Sequence, residues 1–173
     1  MKRILQTLWT IHDRLTQAAA VVAAIGLMSI VTFYVYEVIT RYVFNSPTAW
    51  VSDFVSYALA ASVFLALPKV TKDKGHVAVT ILVDIIPEKV ANIVHTIISL
   101  IGFGCLSLIA WISFQENIRQ FTKNIETLAI IPIPQWWVSS FITFGLALSA
   151  LYMLRYAAPN HRKNESLLEG SSN

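Results

Sequence analysis

The sequence predicts an all-α integral membrane protein with four transmembrane helices, both termini in the cytoplasm, interfacial amphipathic helices and a long third helix. Two observations carry this prediction. Only 13% of the 173 residues are charged, about half the share found in an ordinary soluble domain. Long uncharged segments also separate the charges, so the composition argues against a water-soluble globule and the charge spacing indicates the topology.

Four uncharged segments approach or exceed the length that a bilayer requires. The gaps without Asp, Glu, Lys or Arg contain 22, 15, 26 and 28 residues. A hydrocarbon core about 30 Å thick needs roughly 20 helical residues. The second segment comes close if its helix begins at Trp50 and holds Asp53 at the membrane rim. These segments predict spans near residues 16–37, 50–68, 90–115 and 134–156.

The distribution of Lys and Arg predicts that both termini are cytoplasmic. Ten of the thirteen lie in the N-terminal segment, the second loop and the tail, and three lie in the other two loops. Short cytoplasmic loops are enriched in Lys and Arg, so the polar tail of residues 157–173 is predicted to be cytoplasmic. Residues 1–156 are predicted to form a single membrane domain. The pI near 9.1 then reflects topology and anionic lipid rather than nucleic acid.

The N-terminal segment predicts an interfacial helix over residues 2–14. Apolar residues recur there at helical spacing, at Ile4, Leu8, Ile11 and Leu15. A cleaved signal peptide is the competing interpretation, because Lys2 and Arg3 resemble its charged start. It fits poorly, since the apolar run begins only after Arg14 and is longer than the 7 to 15 residues of a signal sequence.

The segment of residues 76–87 is rich in β-branched residues, which favour a strand. Polar residues nevertheless recur every four positions and share one side of a helix, at His76, Thr80, Asp84 and Glu88. About ten apolar residues are too few to cross a bilayer. We predict an interfacial helix that ends near Pro87, with a strand or an irregular linker as the alternatives.

The third helix is predicted to continue outside the membrane through residues 116–130. Apolar residues keep helical spacing there, at Ile118, Phe121, Ile125 and Leu128. A helix from Glu88 to Leu128 would be roughly 60 Å long, about twice the hydrocarbon thickness, so it must project, tilt or bend. Pro132 and Pro134 would end it.

The outer loop between the first two spans holds the densest group of polar and aromatic residues. Glu37 and Arg41 are four residues apart and can pair at the membrane rim if the first helix continues past Glu37. Asn45 and Pro47 predict a turn. Trp50 would then anchor the start of the second helix.

Ser52 or Thr48 could cap the second helix, and Asp53 suits its positive end. Tyr42 and Phe44 add to an aromatic content that is ordinary for a membrane interface. Two interpretations stay open for this hairpin: a well-capped structural turn, or a contact surface for a partner.

Catalysis is not expected from this sequence. It contains no nucleophile motif, no glycine-rich phosphate loop and no histidine pair at metal-binding spacing. His95 and Cys105 are predicted to be packing residues. His76 is either solvated in a basic loop or a specific contact.

The string RYVFNSPTAWVSDFVSY, followed after about twenty residues by HVAV, resembles the small membrane subunit of tripartite ATP-independent periplasmic (TRAP) transporters. The matching positions are Arg41, Tyr42, Phe44, Asn45, Pro47, Trp50, Phe64, Leu65 and His76, with Asp53 in place of a glutamate. The length, the four-helix topology and the entry to the last helix at Pro134 and Trp136 match as well. Ala66 and Leu67 stand where glycine is usual, and Thr80 stands where the family often has Asp.

The resemblance implies a non-catalytic scaffold. In this family the small subunit packs on a large membrane subunit, which carries the substrate and sodium sites and moves as an elevator, while a soluble periplasmic protein captures the substrate. We therefore expect those two proteins and membrane lipid as partners, no nucleic acid, and no cofactor on this chain. The implied location is the bacterial inner membrane, and the implied substrate is an organic acid of the sialic acid or C4-dicarboxylate class. The residues expected to fix the hairpin or contact the partner are Glu37, Arg41, Tyr42, Phe44, Asn45, Pro47, Trp50, Asp53 and His76.

Two other classes of membrane protein fit the sequence less well. A redox-complex anchor for haem or quinone would need two facing histidines in the bilayer, and only His95 lies within a predicted span. A small drug exporter would need an acid in mid-membrane, and none is present. Small residues could pack within the chain or against a partner; they form stripes at Ala58, Ser62 and Ala66, and at Gly145 and Ser149.

Overall fold

The computed structural model describes residues 2–73, 88–127, 129 and 132–157. These residues form α1 (Lys2–Val43), α2 (Val51–Lys72), α3 (Glu88–Thr122) and α4 (Gln135–Ala157). Outside the helices, the described residues contain one isolated antiparallel bridge, between Glu126 and Pro134 in the α3–α4 turn. The predicted all-α fold class is confirmed.

Each of the four helices is long and apolar enough to cross a membrane. The candidate spans are Gln6–Val43, Val51–Lys72, Thr96–Thr122 and Gln135–Ala157. At 1.5 Å per residue, α2 and α4 measure about 33 and 35 Å, close to the thickness of a bilayer. α1 and α3, with 42 and 35 residues, are about 63 and 52 Å long, so they must tilt or project beyond the hydrocarbon core.

The helices pack in a row rather than in a closed bundle. α1 packs on α2, α2 packs on α4 and α4 packs on α3, whereas α1 touches α4 only slightly. Burial agrees with this order. In the apolar stretch of each helix, 28% of the residues of α2 and 39% of those of α4 are buried, against 11% for α1 and 6% for α3. The two long helices therefore flank the two short ones.

Glycines allow the closest helix contacts in this row. A Cβ atom on Gly26 of α1 would collide with Ser62 Oγ on α2, and one on Gly145 of α4 would lie 2.7 Å from the carbonyl carbon of Phe64 on α2. The stripes that contain Ser62 and Gly145 are thus used for packing within the chain, which was one of the two predicted roles.

The N-terminal helix is continuous with the first span, because α1 runs without a break from Lys2 to Val43. The helical character predicted for residues 2–14 is confirmed, and its location in the membrane interface stays a prediction. The interfacial helix predicted for residues 76–87 lies outside the described residues, as does the tail of residues 158–173.

α3 continues past residue 115 as predicted, but it ends at Thr122, so the prediction that it reaches Leu128 is wrong. Asn124 adopts a left-handed conformation with φ 47°, which an α-helix cannot accommodate. The chain then returns on itself: the Thr127 amide donates to the Ile133 carbonyl at 3.0 Å, and the Gln135 amide donates to the Ile125 carbonyl at 3.1 Å. These turn contacts replace the helical hydrogen bonds that the apolar spacing favoured.

Candidate interaction site

The α1–α2 hairpin turns at Asn45, which has a left-handed φ of 51°. Asparagine tolerates this conformation better than most residues. The Ser46 amide donates to the Thr40 carbonyl at 3.1 Å, which closes the end of α1. The predicted turn at Asn45–Pro47 is confirmed. We call the side of the membrane on which this turn lies the hairpin side. The opposite side, where α1 starts and α4 ends, is called the termini side.

Glu37 ties the end of α1 to the loop that leads into α2. Its Oε1 accepts a hydrogen bond from Arg41 at 2.6 Å, and its Oε2 accepts one from the Thr48 backbone amide at 3.2 Å. The residue is only 8% exposed. The predicted Glu37–Arg41 pair is confirmed, and the second bond to the loop is an addition that sequence spacing did not reveal.

Aromatic rings fill the inner side of the hairpin. Phe33 packs edge-to-face against Trp50 and Phe54, with centroid distances of 5.7 and 4.8 Å, and Tyr36 lies 6.4 Å from Trp50. Such contacts stabilise beyond their buried area. Trp50 thus anchors the start of α2 by packing on α1.

The predicted side-chain cap of α2 is wrong. The N-cap residue is Trp50, with φ −89° and ψ −19°, and its side chain makes no capping hydrogen bond. Its carbonyl accepts the Phe54 amide at 3.1 Å. Thr48 is held by Glu37 two residues before the cap, and Ser52 already lies inside the helix, so neither is in position. Asp53 lies in the first turn of α2, where a carboxylate is favourable.

The outer side of the hairpin presents aromatic residues that are strongly exposed. Tyr42 is 80% exposed and Phe44 is 69% exposed, with Val43 exposed between them. We call these three residues the hairpin tip. The structure therefore brings Glu37, Arg41 and Trp50 together as a support and points Tyr42 and Phe44 outward. Pro47 is also exposed, and His76 lies outside the described residues.

A second polar cluster, on the termini side, joins three helices. Asp13 of α1 accepts a hydrogen bond from the Tyr152 hydroxyl of α4 at 2.7 Å and pairs with Lys72 of α2 at 3.3 Å and Arg155 of α4 at 3.2 Å. We call Asp13, Lys72, Tyr152 and Arg155 the three-helix joint. The Tyr156 hydroxyl also donates to the Lys72 carbonyl.

Buried groups surround the joint. Tyr152 is 1% exposed, and its ring lies 4.2 Å from that of His12. His12 Nε2 lies 3.2 Å from the Leu148 carbonyl oxygen. The Arg155 guanidinium is stacked 5.1 Å from the Trp9 ring, a favourable cation–π distance.

Sequence reasoning missed the three-helix joint. The available signal was that Asp13, Lys72 and Arg155 each lie next to the end of an uncharged segment on the same predicted membrane side. Opposite charges at one depth are expected to pair when their helices meet. The order in which the helices pack was the missing information.

α3 and α4 are joined by hydrogen bonds between polar side chains. Ser113 and Thr143 hydroxyls lie 2.8 Å apart, Asn117 donates to Ser140 at 3.0 Å, and Ser139 donates to Gln120 at 2.6 Å. Interhelical bonds of this kind contribute to helix association in membranes. Ser113, Asn117 and Gln120 of α3 thus serve helix packing.

The fold and the two polar clusters define a multi-pass helical membrane protein. Its polar groups join the helices to one another and hold the exposed α1–α2 hairpin in place. The family described as tripartite ATP-independent periplasmic transporters, DctQ component, matches residues 28–158, so the chain belongs to this family. A TRAP transporter small permease protein of Haemophilus influenzae (strain ATCC 51907 / DSM 11121 / KW20 / Rd) is 28% identical over 137 residues, covering 78% of this chain and 81% of the relative. A second protein of the same name and strain is 23% identical over 139 residues, covering 80% and 78%.

Family membership confirms the resemblance drawn from the hairpin motif. The chain is a membrane component of a transporter and not an enzyme. Membership also implies association with other TRAP components. The redox-anchor and drug-exporter interpretations are therefore dropped.

Proposed function

We propose that this chain is the small scaffold subunit of a sodium-coupled TRAP importer, in which it packs on and stabilises a large elevator-type membrane subunit. The complex lies in the bacterial inner membrane, and both termini of this chain are cytoplasmic. A periplasmic binding protein delivers the substrate, an organic acid of the sialic acid or C4-dicarboxylate class. The distribution of Lys and Arg supports the orientation.

The observation that carries the proposal is the hairpin tip on its rigid support. Tyr42 and Phe44 are strongly exposed, yet the backbone that bears them is fixed by Glu37 through Arg41 and Thr48. Exposed aromatic residues on a pre-organised backbone lose little entropy on binding and are typical interface anchors. We assign the tip to contact with the large membrane subunit.

The charge pattern supports a scaffold rather than a carrier. Ion-coupled carriers place ionisable groups or broken helices near the bilayer midplane. Here no Asp, Glu, Lys or Arg lies between Arg14 and Glu37, or between Lys89 and Glu116. Sodium and substrate are accordingly assigned to the large subunit, and this chain is proposed to carry no cofactor.

Copurification with a tagged large subunit tests the proposal. The double variant Tyr42→Ala, Phe44→Ala should lower recovery of this chain about fivefold or more, because truncating interface anchors costs over 1 kcal/mol each. Arg41→Ala and Asp53→Ala should also weaken assembly. Trp111→Ala is the matched control, since Trp111 is exposed on α3 away from the hairpin, and it should copurify as wild type does.

Two outcomes would overturn the proposal. One is an intact, well-folded wild-type chain that never associates with the large subunit in detergent or nanodiscs. The other is full recovery and full organic-acid uptake with the double variant, which would remove the hairpin tip from the interface.

A further inference from the structure

We propose that the three-helix joint is a binding site for the phosphate group of an anionic phospholipid. The proposal does not depend on the function proposed above, because it concerns the opposite side of the chain from the hairpin tip. It rests on the charge balance of the joint, its depth and the pre-organisation of Arg155.

The joint contains more positive than negative charge. Among the described residues, Asp13 is the carboxylate that pairs with Lys72 at 3.3 Å and with Arg155 at 3.2 Å. These three side chains together carry one excess positive charge. The side chains of Lys72 and Arg155 keep 35% and 19% of their surface exposed, so a phosphate can reach them from the membrane surface.

The depth of the joint matches that of lipid headgroups. Asp13 directly precedes Arg14, where the first uncharged segment begins, and Arg155 ends the last one. Lys72 closes α2. Basic groups between helices at this depth attract acidic headgroups. Trp9 lies beside them, as is common for tryptophan at the membrane interface.

Arg155 is already held in place for a phosphate. Its guanidinium is stacked on Trp9 and bonded to Asp13, so its position is fixed before a ligand arrives. A planar guanidinium matches the oxygen pairs of phosphate better than an ammonium does. Arg155 is therefore assigned to the phosphate oxygens, and Lys72 supplies the second positive charge.

Lipid titration of the full chain tests this site. The protein is purified in detergent with whatever subunits accompany it, and phosphatidylglycerol or phosphatidylcholine is added while native mass spectrometry measures bound lipid. Phosphatidylglycerol should bind more tightly. Lys72→Gln and Arg155→Gln should each weaken its binding roughly fivefold, the effect expected for one basic residue near an anionic membrane surface.

Asp13→Asn separates lipid binding from a purely structural role. It breaks the Asp13–Lys72 pair that Lys72→Gln also breaks, together with the Asp13–Arg155 pair, but it keeps both cations, so phosphatidylglycerol should bind at least as tightly as to wild type. Lys72→Arg keeps the charge and should retain wild-type affinity. Arg119→Gln is the matched control, because Arg119 pairs with Glu116 on the hairpin side, and it should change nothing.

Three results would overturn the proposal. The first is equal affinity for the two lipids. The second is an equal loss of binding in Asp13→Asn and Lys72→Gln, which would make the joint structural only. The third is inorganic phosphate binding as tightly as phosphatidylglycerol, which would assign the site to a soluble anion.

Discussion

Two carboxylates, one on each side of the membrane domain, each accept more than one hydrogen bond or ion pair near the end of a helix. Glu37 binds Arg41 and the Thr48 amide on the hairpin side. Asp13 binds groups from α2 and α4 on the termini side. Both act as multiple acceptors, because an ionised carboxylate offers several lone pairs. The ends of the helices are thus fixed by single residues.

Glu37→Ala is expected to lower the free energy of unfolding by about 1–3 kcal/mol. The variant leaves the Thr48 amide without its acceptor, and losing a charged hydrogen-bond partner at a buried position has a cost of that size. SDS titration in mixed micelles measures the change. Hydrogen exchange at the Thr48 amide should accelerate at the same time, because the amide loses its hydrogen-bond acceptor.

Glu116→Ala is the matched control for this prediction. Glu116 pairs with Arg119 at 3.2 Å, but its side chain is 45% exposed, and exposed pairs contribute about 0–1 kcal/mol. Equal destabilisation by the two variants would show that Glu37 is an ordinary surface carboxylate and not the tie between α1 and the hairpin loop.

At the residue scale, sequence spacing revealed contacts along one helix and not those between helices. The Glu37–Arg41 pair follows from a separation of four residues. Asp13 and Arg155 are separated by 142 positions, so their pairing depends on how α1 and α4 approach each other. The hairpin motif could be identified from sequence because its parts are contiguous, whereas the parts of the joint are not.

At the scale of elements, the α2–α4 contact depends on backbone approach at one glycine. Gly145 leaves room for the Phe64 carbonyl, which a Cβ atom would displace. Close approach at small residues is a principal source of helix association where lipid replaces water. Gly104 of α3 offers a contrast, since a Cβ there would meet nothing within 4 Å.

Gly145→Ala should destabilise the domain by about 1–3 kcal/mol, because the added methyl group forces α2 and α4 apart. Gly104→Ala should leave the stability unchanged or raise it by up to about 1 kcal/mol, because its Cβ meets nothing and alanine is the better helix former. Thermal unfolding of the two purified variants measures both effects. A Gly145→Ala protein as stable as Gly104→Ala would refute the close α2–α4 contact.

Sequence predicted where helices form better than where they end. Uncharged length identified the four spans, since crossing a bilayer demands it. The end of α3 at Thr122 depends instead on Asn124 and on bonds to Ile133 and Ile125 across the turn. Those bonds form only when α4 returns beside α3, so apolar spacing alone extended the helix too far.

At the scale of the whole molecule, the row of helices gives the chain a large membrane surface for its size. α1 and α3 each pack mainly on one neighbour and expose most of their described apolar side chains. Such a shape suits a subunit that widens the footprint of a partner. The sequence could not predict the packing order, because each span is apolar on nearly all sides and so shows no preferred buried face.

Cysteine cross-linking checks that order. In a Cys105→Ser background, Phe33→Cys with Phe54→Cys, and Ser113→Cys with Thr143→Cys, should cross-link within one chain through a short bifunctional thiol reagent. Phe33 and Phe54 rings are 4.8 Å apart, and the Ser113 and Thr143 hydroxyls are 2.8 Å apart. The mixed pair Phe33→Cys with Ser113→Cys takes one position from each of the two reactive pairs. It should not cross-link within a chain, because two helices separate α1 from α3. Efficient intramolecular reaction of the mixed pair, seen as a shifted monomer band, would mean that the four helices close into a bundle.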